Sequence, residues 1–123
     1  MTKGFKDLKV YQLSYKSVME IFKMSKNFPR EEVYSLTDQI RRSSRSIAAS
    51  ISEAYRKRRY PKHFVSKLTD ADSEASEVTV WLDFAKDCDY ISNETHKDLL
   101  SKYEEIGKML GSMIVNYEKF TAY

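Results

Sequence analysis

The stretch FVSKLTDADSEASEVTVWLDFA, Phe64 to Ala85, decides the fold. Its apolar residues Phe64, Leu68, Ala71, Ala75, Val78, Leu82 and Ala85 advance by alternating steps of four and three. On an α-helix that spacing keeps all seven side chains on one stripe, because the repeat of 3.5 residues nearly matches the helical turn of 3.6. A strand would throw alternate members to opposite faces. The last quarter repeats the pattern with Leu99, Tyr103, Ile106, Leu110, Met113, Tyr117 and Phe120. Two amphipathic helices of this length must mate with further helices, which leaves little room for a sheet-edge crevice or a glycine-rich catalytic loop.

Working outward, breakers divide the chain into four helical stretches of matched length, about 8–26, 31–58, 61–88 and 93–118. Asn27, Phe28 and Pro29 end the first, which carries Leu8, Tyr11, Tyr15, Val18 and Phe22 as its expected inner stripe and Asp7 as a candidate cap. Leu36, Ile40, Ile47, Ile51 and Ala54 turn inward from the second. Pro61 is costly inside a helix and favourable in its first turn, so Tyr60 and Pro61 mark the next junction. Asp89 to Asn93 breaks the third stretch, and Ser92 or Asn93 can cap the fourth. Short connections between matched rods force neighbours to run antiparallel. The expected architecture is all-α: an up-down-up-down four-helix bundle, one domain over residues 1–123.

Composition narrows the function. A content of 41% apolar residues suffices for a core without staples, and Cys88 alone can form no internal disulfide, which suits a reducing compartment. Cys88 reads as a small residue near a helix end. Met1 to Phe5 shows no apolar signal core, and no run approaches the length needed to span a membrane, so a soluble cytoplasmic protein is expected. The formal charge is only +3, yet its distribution is uneven. Arg41, Arg42, Arg45, Arg56, Lys57, Arg58, Arg59 and Lys62 are opposed by Glu53 alone, whereas seven acids between Asp70 and Asp89 face only Lys67 and Lys86. A basic helix lies next to an acidic one.

Arg42, Arg45, Ala49, Ser52, Arg56 and Arg59 recur at steps of three and four on the side of the second helix opposite Ile47 and Ile51. Guanidinium groups match phosphate geometry, and clustered positive charge gains affinity by releasing counterions from a nucleic-acid backbone. Tyr55, Tyr60 and His63 nearby could stack on unpaired bases. The expected partner of the eight basic residues is therefore RNA or DNA. The alternative is ion pairing with the acidic flank Asp70, Glu74 and Glu77, within or between subunits, with Glu53 paired locally to Arg56 or Lys57.

Apolar surface exceeds what one bundle needs. Val10, Leu13, Ile21 and Met24 lie off the expected seam of the first helix, and Val80 and Phe84 point away from Val78 and Leu82, with Trp81 between. These seven residues are the expected interface of a homo-oligomer. Gly107 and Gly111 imply close backbone approach along the fourth helix. Chemistry is sparse: there is no Glu-x-x-His pair, His63 and His96 are the only histidines, and no phosphate-binding glycine pattern occurs. No enzyme activity, metal or cofactor is expected. His96 falls on the apolar seam, where a core-edge histidine with a satisfied nitrogen is the expected role.

The run from Phe28 to Ile47, FPREEVYSLTDQIRRSSRSI, resembles the signature of the 23S rRNA intervening-sequence protein family, which reads approximately FP..E.YGLT.QIRRAA.SI..NIAEG. Phe5, Leu8, Val10 and Ile91 also resemble that family. Ser35 and Ala54 stand where the family has Gly, Ser50 where it has Asn, and Ser43 and Ser44 where it has paired alanines, all changes that keep small size. The resemblance implies a four-helix bundle assembling into a ring, typically a pentamer. It also implies an accessory or scaffold role, as in the relative that binds the reverse transcriptase of diversity-generating retroelements together with nucleic acid. A protein partner is accordingly expected besides nucleic acid, with Arg41, Arg42 and Arg45 as the motif residues to test.

Overall fold

Four long helices carry the chain: α1 (Lys9–Ser25), α2 (Leu36–Arg56), α3 (Pro61–Asp87) and α4 (Asn93–Val115), with a single-turn α5 (Glu118–Thr121) at the end. The structure, a computed structural model, describes residues 4–121. Met1 to Lys3, part of the segment read for a signal, and Ala122 and Tyr123 lie outside the described residues, as do the extremes of the 1–123 range. No strand occurs among the described residues, and none of the helices is long and apolar enough to cross a membrane.

The helix ends follow from local chemistry. Pro61 occupies the first turn of α3, where its missing N–H costs nothing. At the other end Asp89 adopts φ 61°, and the N–H groups of Tyr90 and Asp89 donate to Ala85 and Lys86 at 2.8 and 2.9 Å. This is a Schellman closure, which an aspartate tolerates better than a bulkier residue. Ser92 then caps α4 by accepting from the Thr95 N–H at 3.0 Å. Asp7 is not the cap of α1. It sits in a short 3-10 turn (Phe5–Asp7), and Leu8 takes the capping position without a side-chain bond. A second 3-10 turn (Arg30–Glu32) delays α2 to Leu36, and Glu32 accepts from the Leu36 N–H at 3.3 Å and from the Tyr90 hydroxyl at 2.8 Å. Those bonds hold the Glu32 carboxyl below its ordinary range, and the same contact pushes the Tyr90 phenol up to about 12.

Polar pairs set the register. Glu53 meets Lys67 at 2.8 Å while Ser43 meets Glu77 at 3.2 Å, so α2 and α3 run antiparallel. Asp83 meets His96 at 2.7 Å while Asp72 lies beside Gly107, so α3 and α4 do too. Each long helix touches two neighbours and α1 closes the square against α2 and α4, giving the up-down-up-down bundle. All seven residues of the Phe64–Ala85 stripe are buried, as are Leu99, Tyr103, Ile106, Leu110 and Met113 on α4 and Leu36, Ile40, Ile47, Ile51 and Ala54 on α2. Fully burying one such branched side chain contributes about 1.5–3 kcal/mol.

The first helix is rotated relative to the sequence reading. Its buried face is Val10, Ser14, Ser17, Ile21 and Ser25, whereas Tyr11, Val18 and Phe22 are only half-buried and Tyr15 is 55% exposed. Three of these five buried residues are serines. Two of them satisfy their hydroxyls locally, Ser14 on the Val10 carbonyl at 2.7 Å and Ser25 on the Phe22 carbonyl at 3.0 Å. Val10 and Ile21, expected at an oligomer interface, are thus core residues. Leu13 and Met24 are half-buried against the core on the flank from which Glu20 reaches Lys102 of α4 at 2.6 Å. The glycine reading also changes: a Cβ at Gly111 would meet nothing within 4 Å, and one at Gly107 only the Asp72 carboxylate at 3.7 Å. Neither position brings a backbone close.

Candidate nucleic-acid interface

Because α2 turns its isoleucines to the core, the side opposite them is wet. Arg42, Arg45, Ala49 and Arg56 are exposed there, with Ser52 half-buried among them. The helix ends at Arg56, so Arg59 continues the ridge from the turn and not from the helix. Two guanidinium shoulders, Arg42 with Arg45 and Arg56 with Arg59, flank the low ground of Ala49 and Ser52; Arg45 and Arg56 are separated by about 16 Å of helix.

The eight basic residues divide by what their own chain asks of them. Arg41 folds back onto α1, its guanidinium 4.8 Å from the Phe22 ring centre and its Nε donating to Ser25 Oγ at 2.8 Å. Arg58 lies over Tyr55 at 3.7 Å and donates to the Tyr55 carbonyl at 3.0 Å. Lys57 and Lys62 line a shallow depression of about 210 Å³ with His63, Ser66 and Lys67 at the α2–α3 end. Arg42, Arg45, Arg56 and Arg59 remain outward. Of the stacking candidates, Tyr60 is exposed beside His63, whereas Tyr55 is covered by Arg58.

The ion-pair alternative can be examined within one chain. Glu53 turns to Lys67 across the α2–α3 seam and pairs with neither Arg56 nor Lys57. Lys67 also meets Asp70 at 3.8 Å, and these carboxylates raise its pKa, the Glu53 hydrogen bond foremost. Among the described residues the one ridge contact is Arg42 with Asp38 at 4.0 Å, both well exposed, a geometry worth little in water. The positive charge of the ridge is therefore not neutralised by the subunit's own acids. Those acids stay exposed too: Asp70, Asp72, Asp83 and Asp87 face solvent, and the Glu74 carboxyl is raised by burial and by Glu77 and Asp70.

The third-helix patch is partly exposed. Val80 is 46% and Phe84 53% exposed, while Trp81 is half-buried and anchored by Nε1 donating to Ser43 Oγ at 3.2 Å. An adjoining groove of about 350 Å³ adds Tyr34, Leu36 and Gln39. Tyr34, 94% exposed, was not anticipated because it fell inside the expected second helix. Ser35 holds the capping position of α2 without a side-chain bond, and the Glu32 carboxylate that accepts from the Leu36 N–H marks the start of the helix instead.

His96 is a core-edge histidine, its Nε2 bound to Asp83 Oδ1. Cys88 is exposed at the C-terminal end of α3. Among the described residues no three His, Cys, Asp or Glu side chains gather as a metal site.

Comparison with known proteins adds family and fold. Residues 6–112 match the model of the 23S rRNA-intervening sequence protein family. A crystal structure of a protein of unknown function from the S23 ribosomal protein family of Bacteroides thetaiotaomicron is similar, with 31% identity and a TM-score of 0.79 over 85% of this chain and 97% of that one. Comparison with curated proteins gives no match.

Proposed function

Since the chain belongs to the 23S rRNA-intervening sequence protein family, we propose that it acts as a cytoplasmic, non-enzymatic binding module whose α2 ridge holds the backbone of RNA or DNA and whose copies assemble, as a ring, through the Val80, Trp81 and Phe84 face. The observation that carries this reading is the outward row of Arg42, Arg45, Arg56 and Arg59, left without a close carboxylate by every neighbouring helix. A guanidinium row with three members on the helix and a fourth on the turn that follows is a phosphate-tracking surface, and its self-repulsion is relieved when a polyanion binds.

The test is a salt series by fluorescence anisotropy with structured RNA, single-stranded DNA and duplex DNA. Four phosphate contacts predict roughly a hundredfold fall in duplex affinity between 50 and 200 mM salt. The variant with all four arginines changed to Ala should lose both the affinity and most of the slope. Binding that survives in that variant, or that ignores salt, refutes the reading.

A second reading is a protein scaffold in which these arginines pair with acids of a neighbouring copy or of a partner. The exposed acids of α3, with Asp72, Asp83 and Asp87 on the α4 flank and Asp70 on the α2 flank, favour it, since one subunit then offers both halves of the pairing. Loss of assembly in the arginine variant, with no nucleic acid bound by the parent protein, would select this reading.

A further inference from the structure

The rotation of α1 sets an aromatic row beside the basic ridge. Phe22 lies under Arg41 at 4.8 Å and Arg45 at 5.9 Å, with Lys26 at 4.7 Å. Because α1 and α2 are antiparallel, each step of about 1.5 Å back along α1 matches an equal step forward along α2. Val18 therefore comes about level with Ala49, Tyr15 with Ser52, and Tyr11 with Arg56. Ser52, in the low ground between the two guanidinium shoulders, is the place where the flanking row carries its exposed ring, Tyr15.

Charge along the helical part of this double row is of one sign, while Asp7 stands in the 3-10 turn at its open end. The only carboxylate of α1, Glu20, turns to Lys102 on α4, and of the two on α2, Asp38 sits at the N-terminus while Glu53 turns to α3. At the open end of the row Tyr11 and Tyr15, with ring centres 6.1 Å apart, line a depression of about 420 Å³ together with Lys6, Gln12 and Lys16. Phe5 supports Tyr11 edge-on at 4.9 Å.

On this geometry, and resting on the nucleic-acid reading of the ridge, we propose that the α1–α2 face takes single-stranded nucleic acid, with the phosphates along Arg45 and Arg56 and unpaired bases stacked on Tyr15 and Tyr11. A duplex turns its base faces inward and offers only phosphate and sugar to an aromatic row. An unpaired strand offers both the charge and the flat apolar surface that the two rows complement. Lys6 and Lys16 bracket the tyrosines and hold the backbone where it leaves the ridge.

The experiment compares oligouridine with an RNA duplex of equal length, at one salt concentration, for the parent protein, Tyr15→Ala, Tyr15→Phe and the pair Arg45→Ala with Arg56→Ala, alongside subunit number by light scattering. Tyr15 is exposed, so its truncation leaves the core intact. The expected result is tighter binding of oligouridine, a loss of at least about fivefold in Tyr15→Ala on the single strand only, and retention in Tyr15→Phe, which keeps the stacking face. The arginine pair should weaken both ligands. If Tyr15→Ala binds oligouridine normally while the arginine pair does not, the stacking inference fails and the ridge reading stands. If the arginine pair binds both ligands normally, the ridge reading itself fails. If Tyr15→Ala changes the subunit number with affinity unaltered, the row is a contact between copies of the chain, and the inference is overturned.

Discussion

Tyr103→Phe should stabilise the bundle, and by a margin that grows with pH. Tyr103 is the largest side chain sealed in the core, and its hydroxyl has no hydrogen-bond partner among the described residues. A buried hydroxyl left unpaired costs about 1–3 kcal/mol relative to its hydrated state, whereas Phe keeps the ring and its packing. At neutral pH the variant should therefore gain about 1 kcal/mol. Burial, reinforced by the Glu20 charge, raises the Tyr103 phenol well above its usual value, so the native state holds a proton that the unfolded chain gives up near pH 10. With the folded pKa raised, the stabilising contribution is complete below pH 10 and is lost as pH climbs toward the folded value. One unit above the unfolded pKa that loss is about 1.4 kcal/mol. Every other titrating group is common to parent and variant and cancels in their difference. Urea unfolding of both at pH 7 and pH 11 should show the advantage of Tyr103→Phe widening from about 1 to about 2.4 kcal/mol. A variant less stable than the parent at pH 7 would mean that the hydroxyl is satisfied. A difference flat with pH would mean that water reaches the phenol.

Ile21→Ala should cost about 2–5 kcal/mol in chemical unfolding because it empties a core site, whereas Phe84→Ser should leave stability within about 0.5 kcal/mol and weaken self-association measured by light scattering. If Ile21→Ala instead dissociates a normally stable protein, the orientation of α1 is wrong. Gly107→Ala and Gly111→Ala should each stabilise by about 0.5–1 kcal/mol in thermal unfolding, since a methyl group meets an ordinary contact at Gly107 and open space at Gly111. Destabilisation at Gly111 without loss of the monomer fold would show that another copy approaches there.

What was legible in the sequence depended on how much apolar contrast each helix carries. On α3 the buried stripe contains Phe, Leu, Val and Ala while Lys, Asp, Glu and Ser fill the remainder, so one face wins by a wide margin and every member was identified. On α2 the isoleucines stand against arginines, and the assignment is equally secure. On α1 the contrast is reversed. The core face is built on Ser14, Ser17 and Ser25, and the bulkier Tyr11, Tyr15 and Phe22 lie to one side. Hydrophobicity alone ranks those aromatics as inner. What decides the matter is that serines are small enough to be enclosed and that Ser14 and Ser25 return their hydroxyls to the helix's own carbonyls, and neither is a property of periodicity.

The same substitution of size for hydrophobicity explains why the basic residues, but not their surroundings, were visible in advance. Arginines cannot be hidden on a helix whose other face is isoleucine, so the ridge follows from the pattern of α2 alone. Which arginines are already engaged depends on the neighbouring rod: Arg41 is drawn off by Phe22 and Ser25 only because α1 turns its serines inward and its aromatics toward α2. A single rotation thus does three things at once. It withdraws Val10 and Ile21 from the surface, removes Arg41 from the outward charge, and lines up Tyr15 with the gap between the two guanidinium shoulders. These consequences stand or fall together, so an Ile21→Ala protein that keeps its stability would also remove the geometric basis for a base-stacking face. An Ile21→Ala protein that loses stability, beside a Tyr15→Ala protein that does not, fixes the orientation from which that face is built.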